Sequence, residues 1–373
     1  MTKLLLPGST IGIIGGGQLG QMMAMSAKEL GFKVGVLDPT EDCPASQVSD
    51  WSIKASYDDD KALEKLAQQS DVITYEFENV NAASLEKIQE IVPIPQGLEL
   101  LKMSQNRKNE KLFLSQLGLP VSPFKIVNHL SEVSKAIEEI NYPAVLKTCT
   151  GGYDGKGQVV LKSQDDLEHI SELLESGECV LESWVNFKKE ISVIVSGSQE
   201  NDYQVFPIAE NKHYNNILQL STIPAVISES CQKEAEKLAL MIARELAFCG
   251  TMTVEMFVTP SDELIINEIA PRPHNSGHYS IEACNLSQFD THIRGILSWP
   301  IPEIYLHKPA AMLNLLGNEM KIAETLIFEK PDWYFHFYGK KEIKKDRKMG
   351  HITILSNSLK STIEEIQQTK IWK

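Results

Sequence analysis

Four glycines fall within seven positions in Gly151-Gly152-Tyr153-Asp154-Gly155-Lys156-Gly157, directly after the strand-like run Tyr142-Pro143-Ala144-Val145-Leu146-Lys147. Glycine brings no side chain to a core and weakens regular structure, so this run predicts a backbone loop rather than a packed element. Free N–H groups in such a loop suit a phosphate, and Lys147 and Lys156 add positive charge. The spacing is not G-x-x-x-x-G-K-[ST], so the loop is not a Walker P-loop. A strand lysine beside a glycine-rich lid predicts a different way of binding ATP, of the kind used by nucleotide-dependent ligases.

The N-terminal third alternates strands and helices. Thr10-Ile11-Gly12-Ile13-Ile14 reads as a short apolar strand, and the turn Gly15-Gly16-Gly17-Gln18-Leu19-Gly20 leads into a helix running to about Leu30. Further strands are expected at Lys33–Asp38 and Asp71–Glu76, with Val92-Pro93-Ile94-Pro95 as a fourth edge. This alternation implies a parallel sheet with its ligand near the strand carboxyl ends. Gly15, Gly17 and Gly20 satisfy G-x-G-x-x-G, and Asp38 lies where a ribose-binding acid belongs in a dinucleotide enzyme. A nicotinamide-dependent oxidoreductase would explain that turn but leaves the second glycine loop and its lysines unexplained. Asp38 precedes proline and a polar loop, so capping a turn is its simpler role.

The 373 residues allow two or three domains, and 42% hydrophobic content allows a substantial core. A formal net charge of −14 argues against a general nucleic-acid binder. Leu4-Leu5-Leu6 is interrupted by Pro7-Gly8, and no apolar run approaches about 18 residues, so neither a secretory signal nor a membrane span is expected. Cys43, Cys149, Cys179, Cys231, Cys249 and Cys284 form no C-x-x-C pair, which argues against disulfides or a zinc ribbon. A soluble, cytoplasmic enzyme is expected. Cys149 beside the glycine loop has no base near it in sequence and reads as a buried structural thiol.

Past residue 100, a helix is expected over Asn106–Leu117, then a small α+β unit. That unit comprises a helix at Ser131–Ile140, the Lys147 strand, the loop, a returning strand at Gln158–Leu161 and a helix at Asp165–Glu175. Cys179–Val185 reads as a strand whose backbone can face an adenine edge or simply pack, and Glu190 opens the next strand, Ile191–Val195. Thr253–Val258 and Glu263–Ile269 form a predicted antiparallel hairpin turning at Pro260-Ser261-Asp262. Glu255 and Glu268 interrupt its apolar pattern, which is costly without a compensating cation. Magnesium suits them, because it takes hard oxygen ligands; two outward-facing edge acids are the alternative. His274 and His278 are four apart, but two prolines and a glycine make a helical zinc pair improbable. A rigid loop presenting Arg272, His274 and Asn275 to an oxyanion fits better.

The strand lysine, glycine-rich lid, Glu182-Ser183-Trp184-Val185 strand and Glu255…Asn267-Glu268 hairpin resemble the ATP-grasp superfamily. Within it, GGGQLG at 15–20, TYEFENV at 74–80, GGYDGKGQ at 151–158, NEIAPRPHNSGH at 267–278 and RKMGHIT at 347–353 resemble the 5-(carboxyamino)imidazole ribonucleotide synthetases of purine biosynthesis. The resemblance spans about Ile11 to Thr353. It implies an α/β and α+β chain with an ATP-grasp fold: a Rossmann-like parallel-sheet domain at 1–107, a small α+β lid at 108–186, a metal and nucleotide core at 187–300, and a C-terminal mixed β-sheet region at 301–373.

The resemblance places ATP contacts on Arg107, Lys147, Gly152, Tyr153, Asp154, Gly155, Lys156, Gly157, Gln158, Glu182, Ser183, Trp184, Val185, Glu190, His213, Asn267 and Glu268, with magnesium on Glu255 and Glu268. It places 5-aminoimidazole ribonucleotide near Gln18, Leu19, Glu76, Tyr153, Asp154, Arg272, His274, Asn275 and Lys348, and its phosphate on Lys340 and Arg347. Asp346 stands beside Arg347 where the family usually has glycine, which should weaken attraction there slightly. The implied reaction uses ATP and bicarbonate to form carboxyphosphate, from which the ribonucleotide amine takes the carboxyl group. Asp154, Arg272 and Lys340 are the expected catalytic residues, and a homodimer with only small-molecule substrates is expected. A formate-using glycinamide ribonucleotide transformylase and a catalytically silent ATP-binding protein are the other readings; biotin carboxylase is disfavoured because no biotinyl Met-Lys-Met segment is present.

Overall fold

The computed structural model describes residues 4–152, 156–198 and 202–372. Its first sheet contains β1 (Thr10–Ile14), β2 (Lys33–Asp38), β3 (Trp51–Lys54) and β4 (Val72–Tyr75), all parallel, in the order β3-β2-β1-β4. The chain moves outward from β1 through β3 and returns to the other side of β1, so the switch point lies between β1 and β4. In open α/β sheets, ligands gather in the crevice at that point.

Val92–Pro95 is not a strand; the fourth strand is Trp51–Lys54 at the opposite edge. Proline cannot donate to a ladder, and all that Pro93 supplies to the sheet is a carbonyl for Ile73 N at 2.9 Å.

The second sheet holds β5 (Phe124–Val127), β6 (Ala144–Thr148), β7 (Gln158–Leu161) and β8 (Cys179–Ser183), ordered β5-β8-β6-β7 and antiparallel. The helix expected over Asp165–Glu175 is split into a 3-10 segment, Gln164–His169, and a short α-helix, Ser171–Glu175. Ser163 and Asp166 form a capping box that satisfies the first turn, and Ile170 separates the two pieces.

The largest sheet is antiparallel and built from β9 (Lys189–Gly197), β10 (Tyr203–Val205), β11 (Ala209–Tyr214), β12 (Ile217–Ile223), β13 (Gly250–Val258), β14 (Leu264–Ala270), β15 (Ala310–Leu316), β16 (Tyr334–Phe337) and β17 (Lys348–Leu355). Its order is β14-β13-β9-β11-β12-β15-β17-β16, with β10 beside β9. The C-terminal strands are therefore not a mixed sheet. They are antiparallel and continue the sheet of β9 to β14, because β12 pairs directly with β15.

The helix Glu229–Leu246 packs Ala235, Leu238, Ala239 and Ile242 against Val193, Val195, Met252 and Val254 of the large sheet. The helix Gln288–Ile296 buries Phe289, Ile293 and Ile296 against Ile11, Ile13 and Phe32 of the N-terminal sheet. Each such side chain contributes about 1.5–3 kcal/mol when fully buried, so the two regions are joined by a core and not by a linker. His292 of that helix extends the joint, with Nε2 2.8 Å from Thr74 Oγ1 of β4 and Nδ1 accepting from Thr251 N of β13 at 3.1 Å.

Candidate active site

The turn after β1 is closed by a carboxylate of its own chain. Glu76, immediately after β4, accepts hydrogen bonds from Gly17 N and Gly20 N, both at 2.5 Å. These are the amides that would cradle a dinucleotide pyrophosphate at the start of the following helix. A Cβ on Gly15, whose φ is +107°, would lie 2.2 Å from Glu76 Cγ, so the glycine allows the carboxylate to enter the turn. Asp38 is also occupied: Oδ2 accepts from Gly16 N at 2.7 Å and from Tyr57 Oη at 2.5 Å, and Oδ1 from Thr40 N at 2.7 Å. The turn is thus filled from within, and Asp38 acts as the cap that the sequence allowed.

Beside this turn opens a cleft of about 650 Å³ between the two antiparallel sheets. Gln18, Leu19 and Glu76 line one end. Arg107, Lys147, Gly152, Gln158 and Glu182 to Val185 line the lid side, and Glu190, His213, Glu255, Asn267 and Glu268 line the large sheet. Arg272, His274, Asn275 and Lys348 complete the wall. Lys147 on β6 reaches Glu182 on β8 at 3.2 Å, because their strands pair. Burial would raise the Glu182 pKa, but Lys147 and Lys111 bring it down to about 2. Trp184 is half exposed, and Phe187 stacks on Phe257 with ring centroids 4.5 Å apart. Both aromatic features lie on the wall, where a planar base needs apolar surface.

In the β13–β14 hairpin, Glu255 and Glu268 are cross-strand partners. Burial, followed by the Glu268 charge, pushes Glu255 up to about 8. Arg107 approaches Glu268 at 3.4 Å, and His274 Nε2 lies 3.7 Å from Glu255. Among the described residues, no group of three or more metal-type side chains is arranged to hold an ion. His274 and His278 are no zinc pair: they flank a 3-10 turn, Asn275–Gly277, and His278 Nδ1 pairs with Gln288. His213 Nδ1 lies 2.6 Å from Glu190; burial pulls its pKa down and the carboxylate more than offsets this.

Arg272 is gripped by Glu78 through two contacts, Nε at 2.6 Å and Nη2 at 3.2 Å. Lys340 does not line the cleft: its ammonium donates to the Lys348 carbonyl at 2.7 Å and lies 5.4 Å from the centre of the Tyr338 ring. Burial, then Arg347, lowers the Lys340 pKa to about 8, while Glu76 acts in the opposite direction. Arg347 is also off the wall, donating to the Glu342 carbonyl at 3.2 Å. Tyr153, Asp154 and Gly155 lie outside the described residues. Lys156 and Gly157 do not line the wall, and Gly157 O accepts from Thr148 N at 2.9 Å. Cys149 is buried and its thiol is pushed up to about 11, in keeping with a structural role.

Family models match nearly the whole chain in sequence: a ribonucleotide synthetase preATP-grasp domain over residues 8–105, an ATP-grasp domain over 112–289, and a phosphoribosylaminoimidazole carboxylase C-terminal domain over 310–365. The N5-carboxyaminoimidazole ribonucleotide synthase of Bacillus subtilis is 49% identical over 364 residues, covering 98% of this chain and 96% of its own. This chain belongs to the N5-carboxyaminoimidazole ribonucleotide synthase family.

Solved structures of the family agree. An ADP complex of an N5-carboxyaminoimidazole ribonucleotide synthetase superposes with a TM-score of 0.97 at 49% identity, covering 100% of this chain and 99% of the other. The Aspergillus clavatus synthase in complex with ADP and 5-aminoimidazole ribonucleotide gives 0.90 at 34% identity and 98% coverage of each. Against this family, the oxidoreductase and transformylase readings find no support. Sequence reasoning missed Glu78, Glu110 and Lys111. Glu78 lay inside the quoted TYEFENV run. Glu110 and Lys111 had a weaker signal: two charges on the face of the helix Arg107–Gln116 that carries Leu114, all three buried.

Proposed function

We propose that this chain couples ATP hydrolysis to carboxylation of the exocyclic amine of 5-aminoimidazole ribonucleotide, in purine biosynthesis. The observation that carries this reading is a single cleft in which a lysine strand, an acidic hairpin and the Gln18–Glu76 edge face one another. A bicarbonate oxygen attacks the γ-phosphorus of ATP, the bond to the ADP oxygen breaks, and carboxyphosphate forms. The amine nitrogen then attacks the carboxyl carbon, phosphate leaves and the amine gives up a proton.

Lys147 and Arg272 stabilise charge on the transferring phosphoryl group, where positioning and electrostatics outweigh covalent chemistry. Glu78 fixes the Arg272 plane while leaving part of the guanidinium for the substrate. Asp154 and Lys340 are assigned to the amine proton and the incoming carboxyl group. Lys340 and Arg347 hold the ribonucleotide phosphate, and closure of the glycine lid keeps water from labile carboxyphosphate.

Glu255 and Glu268 fit magnesium: two facing carboxylates, Glu255 largely buried and Glu268 more open to the cleft, offer hard oxygen donors, and phosphate oxygens and water would supply the remaining ligands. When bound, the ion supplies charge neutralisation across the phosphates. The same reading includes a homodimer in the cytoplasm, with no nucleic-acid or membrane partner. No helix among the described residues is long and apolar enough to cross a membrane. Light scattering should give twice the 41.7 kDa of the chain.

The testing experiment is coupled ADP release with 5-aminoimidazole ribonucleotide or glycinamide ribonucleotide, with and without bicarbonate. Turnover is expected only with the first ribonucleotide plus bicarbonate. Formate-dependent turnover of the second would overturn the assignment.

A further inference from the structure

The β14 strand is the outer edge of the large sheet, and its ladder to β13 is irregular at the proposed metal site. Glu255 pairs with Glu268, yet the next residue, Met256, pairs with Ile266, so Asn267 is an extra residue in the strand. A bulge of this kind re-aims side chains and leaves backbone groups without a ladder partner. The groups flanking Glu268 on either side are caught by one helix. Lys111 Nζ donates to the Asn267 carbonyl at 3.2 Å, and Ile269 N donates to Glu110 Oε1 at 2.5 Å.

Both helix residues are almost fully buried, with exposures of 1% for Lys111 and 2% for Glu110. Lys111 also lies 3.2 Å from Glu182 on β8, so one ammonium spans the lid sheet and the large sheet. The helix itself is fixed at its start by Asn106, whose side chain accepts from Lys108 N at 3.0 Å, and by Arg107 N donating to Cys149 O at 2.9 Å. Burying two charged side chains merely to fill a core is unfavourable, since a buried charge costs heavily unless it is paired and hydrogen-bonded. Here Lys111 is paired with Glu182 and Glu110 is hydrogen-bonded, and both act on peptide groups adjacent to Glu268.

We propose that Glu110 and Lys111 are positioning residues that clamp the Asn267–Glu268–Ile269 backbone and so aim the Glu268 carboxylate at the nucleotide-bound metal. Glu110 borders the cleft and Lys111 does not, and each acts through the strand that it holds. The proposal rests on Glu268 being a metal ligand, so its test must separate that reading from the clamp.

The measurement is calorimetric titration with ADP, once in excess magnesium and once in chelator, giving the factor by which the metal tightens ADP binding. Wild type, Glu268→Gln, Glu110→Ala, Glu110→Gln and Lys111→Met are compared, with thermal unfolding recorded for each. In Glu110→Ala and Lys111→Met the metal factor should fall at least about tenfold, while metal-free ADP affinity in Glu110→Ala stays within about threefold. Glu110→Gln should keep the factor within about threefold, because its amide oxygen still accepts from Ile269 N. A folded Glu110→Ala with the wild-type factor, alongside a Glu268→Gln that loses it, would overturn the clamp. So would a Glu110→Gln that behaves like Glu110→Ala. An unchanged factor in Glu268→Gln would instead overturn the metal reading beneath it. Should Glu110→Ala fail to unfold cooperatively, the Glu110→Gln and Lys111→Met pair decides by the same criteria.

Discussion

Removing one carboxylate from the facing Glu255–Glu268 pair relieves their repulsion but takes away a hard oxygen donor. Glu268→Gln should therefore lower kcat at least about a hundredfold, measured by ADP release at saturating magnesium; near-normal turnover would discard the hairpin as the metal site. Lys340 gives a prediction in pH. Its ammonium, lowered to about 8 chiefly by burial, is charged below that value and neutral above it. The Michaelis constant for the ribonucleotide should rise between pH 7 and pH 9 while that for ATP does not, and Lys340→Arg should flatten the rise. Parallel rises in both constants would exclude Lys340 as the source. Lys147 stood out in the chain because it ends a strand directly before the glycine loop, and Glu255 and Glu268 because each interrupts an apolar strand pattern. Glu78, Glu110 and Lys111 were not, because their partners Arg272, Ile269 and Asn267 lie more than 150 positions away and are set only by packing.

The glycine turn and the C-terminal basic run show how an element's role depends on what fills it. The turn reads as a dinucleotide site until Glu76 is seen inside it. Gly15→Ala places a Cβ against that carboxylate at a positive φ. It should cost more than about 1 kcal/mol in denaturant unfolding; an unchanged midpoint would show that the turn does not need its glycine. In the basic run Lys340–Lys348, a solvated face remains the plain alternative, and Arg347 donates to a neighbouring carbonyl. Arg347→Ala should raise the ribonucleotide Michaelis constant more than tenfold, the loss of a charged contact being about 1.5–3 kcal/mol, and leave that for ATP within about threefold. Wild-type values for both would make the run a surface feature. Periodicity revealed β1, β2, β7 and the β13–β14 hairpin closely. It misplaced an edge strand at Val92–Pro95, where two prolines cannot join a ladder, and ran one helix through Ile170, where local capping starts and stops two shorter pieces.

At the level of the whole chain, three sheets and the helix Gln288–Ile296 bring the Lys147 wall, the acidic hairpin and the Gln18–Glu76 edge into one cleft. The alternation of strands and helices made the parallel sheet predictable, but nothing local revealed that the C-terminal strands extend the central sheet, since the β12–β15 pairing spans about ninety residues. The shared cleft implies that ATP turnover is slow alone and rises when 5-aminoimidazole ribonucleotide is added. Equal rates with and without it would mean that the two walls work independently. The most direct test is transfer of oxygen from labelled bicarbonate. With ATP, magnesium, 5-aminoimidazole ribonucleotide and fresh ¹⁸O-bicarbonate, one ¹⁸O should appear in each inorganic phosphate released, because the attacking bicarbonate oxygen leaves with the phosphorus. Phosphate carrying only solvent oxygen would contradict activation of bicarbonate by phosphoryl transfer in this cleft.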